Sequence, residues 1–286
     1  MENTQFNRDF QDSSAGAQDG MKSMMLISFL VNLIMSGAMG YMVAWINALQ
    51  MILHLPMLLI LIPANVAAFF SIILPVVQFD LLDPDWTTNL VFEFDDEPEE
   101  VFEESFGSKV FDQMKDLGYE THNSMQLLGS LFIFSLLWFV RSLLFFPVVK
   151  LFVRLTKKGQ QYHDKLRDTL FYGEIIIISV ESYIELLIAG YLNVKYNLNT
   201  TGGELFALWV SYYCLFMCLT VMPILSVWIL TRDISEFSDE EFETQFGSFW
   251  DGVKKRNKAE LAYWAIFMLR RGIFVGISFF MFEYPG

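Results

Sequence analysis

Three glutamates inside one apolar stretch are the residues of this chain whose type and spacing could do chemistry. In "GEIIIISVESYIELLIAGYL", residues 173 to 192, Glu174, Glu181 and Glu185 interrupt a run otherwise apolar enough to cross a bilayer. At a helical step of 100° per residue, Glu181 and Glu185 fall about 20° to either side of Glu174, so the three share one helix face over roughly 16 Å. A charged side chain at mid-bilayer costs about 3 kcal/mol or more, so that face must turn toward protein or water and not toward lipid.

The residue types leave two readings open. In one, arginines on neighbouring spans neutralise the stripe: Arg141 lies toward the cytosolic third of its span, level with Glu174, while Arg270 and Arg271 lie nearer mid-depth. In the other, unpaired carboxylates line a polar pathway or bind a cation, since carboxylate oxygens suit Ca²⁺, Na⁺ or a proton relay. A Ca²⁺ site would need further oxygens, and Asn32, Asn47, Asn65 and Ser182 are the candidates. A mixed outcome has Glu174 paired and Glu181 or Glu185 available. No resident cofactor is called for.

The elements that must position these residues are membrane spans. Of the 286 residues, 54% are hydrophobic, and the mean hydropathy is +0.39. The apolar residues arrive in blocks of about 20, the length needed to cross a hydrocarbon core. Six are readable: about 24–49, 53–79, 127–151, 169–194, 205–230 and 261–282. The expected fold is therefore an all-α, polytopic helical bundle of six spans. A polar segment, 1–22, precedes it, and an acidic loop, 80–123, separates spans two and three. Spans one and two are joined by the short link "INALQMILHLP" as an antiparallel hairpin, with Pro56, Pro63 and Pro75 predicting kinks in span two.

The net charge of −14 belongs largely to one loop, because Asp80 to Glu120 holds fourteen acids against Lys109 and Lys115. Its Phe102, Phe106 and Val110 recur every four residues, as a short amphipathic helix would have them, or the loop is simply solvated. The basic residues cluster after span three, in "VRLTKKGQQYHDKLRD", and after span five, in "KKRNK". These loops are cytosolic by the positive-inside rule, in a plasma membrane or an endomembrane, which puts the N-terminus, the acidic loop and the C-terminus on the other side. Asn199 of "NTT" is then a glycosylation candidate. A nucleic-acid partner is excluded by the absence of a basic patch. The expected partners are the lipid bilayer and other membrane protein chains.

Cys214 and Cys218, one helical turn apart in an apolar run, read as small buried side chains. Ser36 and Gly40 permit close helix packing, and the tryptophans near span ends read as interfacial anchors. His54, His122 and His163 show no metal-ligand spacing. With no Ser-His-Asp pattern, P-loop or glycine-rich nucleotide turn, no residue is assigned as catalytic and the chain reads as a non-enzyme.

Longer strings carry a resemblance. "SGAMGYMVAWINALQMILHLPMLLILIPANVAAFFSIILPVVQFDLL", "LGYETHNSMQLLGSLFIF", "ESYIELLIAGYLNV" and "LRRGIFVGISFF" resemble the membrane region of large ciliate surface proteins, in which a cysteine-rich ectodomain precedes the spans. More distantly, the chain is similar to TRP-like polytopic proteins discussed as ion channels. The resemblance implies a channel-like or transport role, and it places Glu181 and Glu185 on the family's recurring acidic segment. The sequence departs from that pattern in having no ectodomain and in ending at "FMFEYPG", where further spans are expected. It is thus expected to be a fragment or a reduced member that completes its bundle with another chain. The alternative role is a non-conducting membrane subunit or anchor whose acidic loop docks a partner.

Overall fold

The computed structural model describes residues 49–58, 119, 121–156, 159–197, 201–250, 253 and 256–280, with positions 16, 20, 23, 24, 63, 65, 66, 69, 70, 73 and 74. Among the described residues every regular element is helical, as the sequence predicts. A single turn, Ser124–Leu127, capped by the Asn123 side chain, leads into α1 (Gly129–Val140) and α2 (Phe146–Thr156). Gly159 turns the chain at φ 80°, a left-handed conformation that favours glycine, and α3 (Gln160–Asp168) follows. Next come α4 (Glu174–Glu181) and α5 (Tyr183–Tyr196), then α6 (Gly202–Phe216) and α7 (Met222–Thr231). Beyond them are α8 (Glu240–Phe246) and α9 (Tyr263–Phe280).

Prolines shape two of the joints. Five-residue π-turns, Arg141–Phe145 and Met217–Val221, connect α1 to α2 and α6 to α7. Each closes with an N–H reaching back five residues, from Phe146 to Arg141 and from Met222 to Met217. The next residue in each case is Pro147 or Pro223, which has no N–H to continue the ladder. The carbonyl left over at Cys218 is taken by the Tyr183 hydroxyl, which donates to it at 3.1 Å.

The core is centred on α5, whose Ile184, Ile188 and Leu192 are fully buried. It packs against α6 and α9. Gly190 sets the closeness of α6: a Cβ there would stand 3.0 Å from Leu215 Cγ and 3.3 Å from the Ser211 carbonyl oxygen. The segment after α7 folds into a cap around aromatic rings. Phe237 and Trp250 are buried there with centroids 4.8 Å apart, Phe242 stacks on Trp250 at 5.5 Å, and Arg232 lies over Trp228 at 4.5 Å.

Among the described residues, two helices are long and apolar enough to cross a membrane: Gly202–Thr231, 30 residues, and Lys258–Phe280, 23 residues. Both turn much apolar surface outward. On α9, Tyr263, Ile266, Leu269, Ile273, Ile277 and Phe280 are exposed at spacings of three or four, a continuous stripe suited to hydrocarbon. The fourth predicted span is broken at Ser182 into pieces of 8 and 14 residues.

Spans one and two lie mostly outside the described residues, as do the Phe102–Val110 repeat, Ser36, Gly40, Asn32, Asn47 and Asn199. What is described of their junction is not a surface link. Residues 49–53 are helical, Leu55–Leu58 forms a 3-10 turn, and Gln50, Leu53 and His54 are buried in the bundle.

Candidate functional site

The site is built where the 49–58 segment, the end of the acidic loop and α5 meet. Gln50 and His54, four residues apart, share a helix face. The Gln50 side chain donates from Nε2 to the Glu181 carbonyl oxygen at 2.8 Å, which fastens this face to the end of α4. His54 Nδ1 lies 2.7 Å from the Gln50 carbonyl oxygen. On its other side His54 Nε2 is 3.0 Å from the Tyr119 hydroxyl, and that hydroxyl donates to Glu185 Oε2 at 2.6 Å. Glu185 Oε1 is 3.2 Å from His54 Nε2. The three side chains are buried: His54 is 0% exposed, Tyr119 2% and Glu185 5%.

Arg271, on α9, is fully buried beside this cluster. Its Nη1 donates to the Val180 carbonyl oxygen at 3.4 Å, and its Cζ lies 3.9 Å from the Phe267 ring centroid. Glu181, Glu185 and Arg270 lie within electrostatic reach of its charge. The structure therefore brings together Glu181, Glu185 and Arg271 from the predicted set. Arg270 is exposed, with its guanidinium 6.0 Å from the Phe267 ring. Arg141 is half-buried at the start of its π-turn. Glu174 begins α4, and its side chain lies outside the described set. Among the oxygen candidates, Ser182 is buried at the α4–α5 break and Asn65 is exposed.

A second carboxylate centre lies toward the other end of α5. Glu204, 1% exposed on the first turn of α6, accepts from Asn123 Nδ2 at 3.0 Å and from Asn197 Nδ2 at 2.9 Å. Its backbone N–H donates to Thr201 Oγ1 at 3.2 Å, and His122 Nε2 stands 3.8 Å from Oε2. Asn197 also donates to Asn193 Oδ1 at 2.6 Å, Asn193 donates to Ser124 Oγ at 2.9 Å, and Ser124 Oγ donates to the Ala207 carbonyl at 2.9 Å. The helix N-terminus adds its own favourable dipole to this carboxylate. These bonds tie the Ser124–Leu127 turn and the start of α6 to the end of α5.

The centres that sequence reasoning missed are those of His54, Tyr119 and Glu204. A signal for Glu204 is present, because Thr201-x-x-Glu204 is the pattern of a capped helix start. None marks His54 or Tyr119, whose partners lie 131 and 66 residues away in chain order or across the bundle. A cavity of about 300 Å³ opens between α1, α4, α5 and α6, lined by Leu128, Leu131, Trp138, Ile178, Leu186 and Cys214 among others. Its described lining is mostly apolar, and neither Glu181 nor Glu185 is among the described residues that line it. Among the described residues no group of three His, Cys, Asp or Glu is placed to hold a metal ion. No family model matches the sequence, and neither curated proteins nor solved structures give a match.

Proposed function

We propose that this chain is the membrane domain of a channel-like or ion-transport protein, a six-span bundle with its basic loops in the cytosol, in which Glu181 and Glu185 form the cation-interacting site. The observation that carries this reading is that Glu185, deep in the bundle, is held by a tyrosine and a histidine and is not locked to an arginine alone. Groups that can exchange protons or admit a cation surround it, and such residues inside a membrane bundle mark ion pathways. The exposed apolar stripes on α6, α7 and α9 support lipid contact, and the resemblance to TRP-like membrane regions points the same way. Ca²⁺, another cation or a proton is the class of substrate.

The test is cation flux through the purified protein in liposomes, compared with Glu181→Gln and Glu185→Gln. Flux that changes in these variants supports the reading, and equal flux removes both residues from the mechanism. A second reading, a non-conducting membrane subunit or anchor working with other protein chains, is favoured by the full burial of Arg271 beside the glutamates and by the apolar lining of the cavity. Absence of any cation flux in the unmodified protein selects it.

A further inference from the structure

The hydrogen atoms at the His54 cluster can be counted. A backbone carbonyl only accepts, so the 2.7 Å contact from the Gln50 oxygen requires a hydrogen on His54 Nδ1. The two remaining links, Nε2 to the Tyr119 oxygen at 3.0 Å and Tyr119 oxygen to Glu185 Oε2 at 2.6 Å, need one hydrogen each. Two arrangements supply them. Either His54 is an imidazolium donating to Tyr119 while Tyr119 donates to a Glu185 carboxylate, or a protonated Glu185 donates to Tyr119 while Tyr119 donates to a neutral imidazole.

Both arrangements contain the same atoms and the same total charge of zero. One becomes the other when the Nε2 hydrogen moves to the tyrosine oxygen as the tyrosine hydrogen moves to Oε2; each N–H or O–H bond broken is matched by one formed. Removal of one proton from the chain leaves a link without hydrogen and a net negative charge among side chains that are almost wholly buried, a costly state in low dielectric. Among the described residues, the buried Arg271 of α9 and the buried Glu181 are the charged groups that lie beside the chain. Arg271 lies where it offsets part of that negative charge.

From this count we infer that His54, Tyr119 and Glu185 form a proton-binding relay, and that the cation taken by the site is a proton. The inference rests on the transport reading for its role, but the bound proton itself does not. Tyr119 is the bridge, since its hydroxyl is hydrogen-bonded to both ends, whereas the direct 3.2 Å contact of Nε2 with Oε1 is not a hydrogen bond. His54 and Glu185 are the two termini between which the proton is shared.

The experiment uses the full chain in two measurements. Proton flux into liposomes under an imposed pH gradient is compared with Na⁺ and K⁺ flux, for the unmodified protein and for Tyr119→Phe and Glu185→Gln. In parallel, ¹⁵N-histidine spectra of the lipid-embedded chain are recorded in a His122→Gln, His163→Gln background, which leaves His54 as the single histidine. The expected result is proton flux that falls at least tenfold in Tyr119→Phe, with an Nδ1 that stays protonated and an Nε2 resonance that shifts in both variants. Na⁺ or K⁺ flux without proton flux keeps the transport reading and overturns the relay. Absence of all flux overturns the transport reading, and the spectra then decide the proton site: an Nε2 resonance indifferent to both variants overturns it. Retention of the native elution profile by Tyr119→Phe, which removes only one hydroxyl, excludes misfolding as the cause.

Discussion

Two buried glutamates on adjacent helices meet the cost of burial in different ways. Glu204 is surrounded by the amide side chains of Asn123 and Asn197, which donate and do not titrate, at the start of a helix whose dipole favours its charge. Glu185 is surrounded by Tyr119, His54 and, farther off, Arg271, all of which carry protons of their own. Both carboxylates lie close to a histidine, but His122 stands 3.8 Å from Glu204 whereas His54 is 3.2 Å from Glu185 and linked to it through a hydroxyl. Fixed donors make a joint. Titratable donors make a site whose charge can move.

The comparison breaks most sharply at Arg271. Replacing it with Met leaves Glu181 and Glu185 buried without its compensating charge, and loss of one partner from a buried charge cluster costs about 3 kcal/mol. Thermal unfolding of Arg271→Met in lipid nanodiscs is expected to show the largest loss of stability, with part of it restored when Glu181→Gln is added. Should Arg271→Met be as stable as the parent, the mid-bundle cluster would not depend on that charge. At the other centre, Glu204→Ala removes the carboxylate that accepts from the Asn123 amide and one of the acceptors of Asn197, at about 2 kcal/mol for a buried donor deprived of its acceptor. The same unfolding measurement reads it, and cation flux per folded molecule is expected to stay at the parental level, because this centre holds helices together and carries nothing.

Gly190 sharpens the boundary between the two. It lies on α5 between Glu185 and Asn193, and its missing Cβ leaves room for Leu215 and Ser211 of α6. Gly190→Ala is expected to cost about 1 kcal/mol by overpacking. The displaced element would be α6, which carries Glu204, so ¹⁵N-histidine spectra of the chain with all three histidines in place should move at His122 and stay fixed at His54. Movement at His54 instead would show that the two centres are mechanically one.

How much of this was legible in the sequence follows from the range of each interaction. Hydropathy blocks report on a helix's own residues, so the all-helical fold and the apolar faces of Gly202–Thr231 and Lys258–Phe280 could be read directly. That Glu181 and Glu185 turn away from lipid could be read as well, from the cost of charge in an apolar run, but not whether protein or water would meet them. Arg270 and Arg271 were not separable, since neighbours differ by only 100° on a helix and the side that faces the glutamates is set by packing. The link holding Gln50 and His54 looked like a short turn because its length is that of a turn. Its burial depends on Glu181, 131 residues away in chain order, to which Gln50 donates. Tyr119 lies near the end of the predicted acidic extracytosolic loop yet is 2% exposed, and its contacts with Glu185 and His54 across the bundle hold it there.

The smallest change tested is also the most discriminating. Tyr119→Phe removes one oxygen and preserves the ring, so packing is retained and the loss of a buried hydrogen-bonded hydroxyl should cost only about 1 kcal/mol. If the cluster is a joint like that of Glu204, the consequence ends there: stability falls slightly and nothing else changes. If it is a relay, the 3.0 Å and 2.6 Å links vanish together, and the proton is left to cross the direct 3.2 Å contact between Nε2 and Oε1. That contact needs a reoriented ring or carboxylate before a hydrogen can lie in line, so proton flux should fall far more than stability does. A variant in which flux and stability fall in proportion would place the His54 cluster with the Glu204 joint, as a second way of fastening helices.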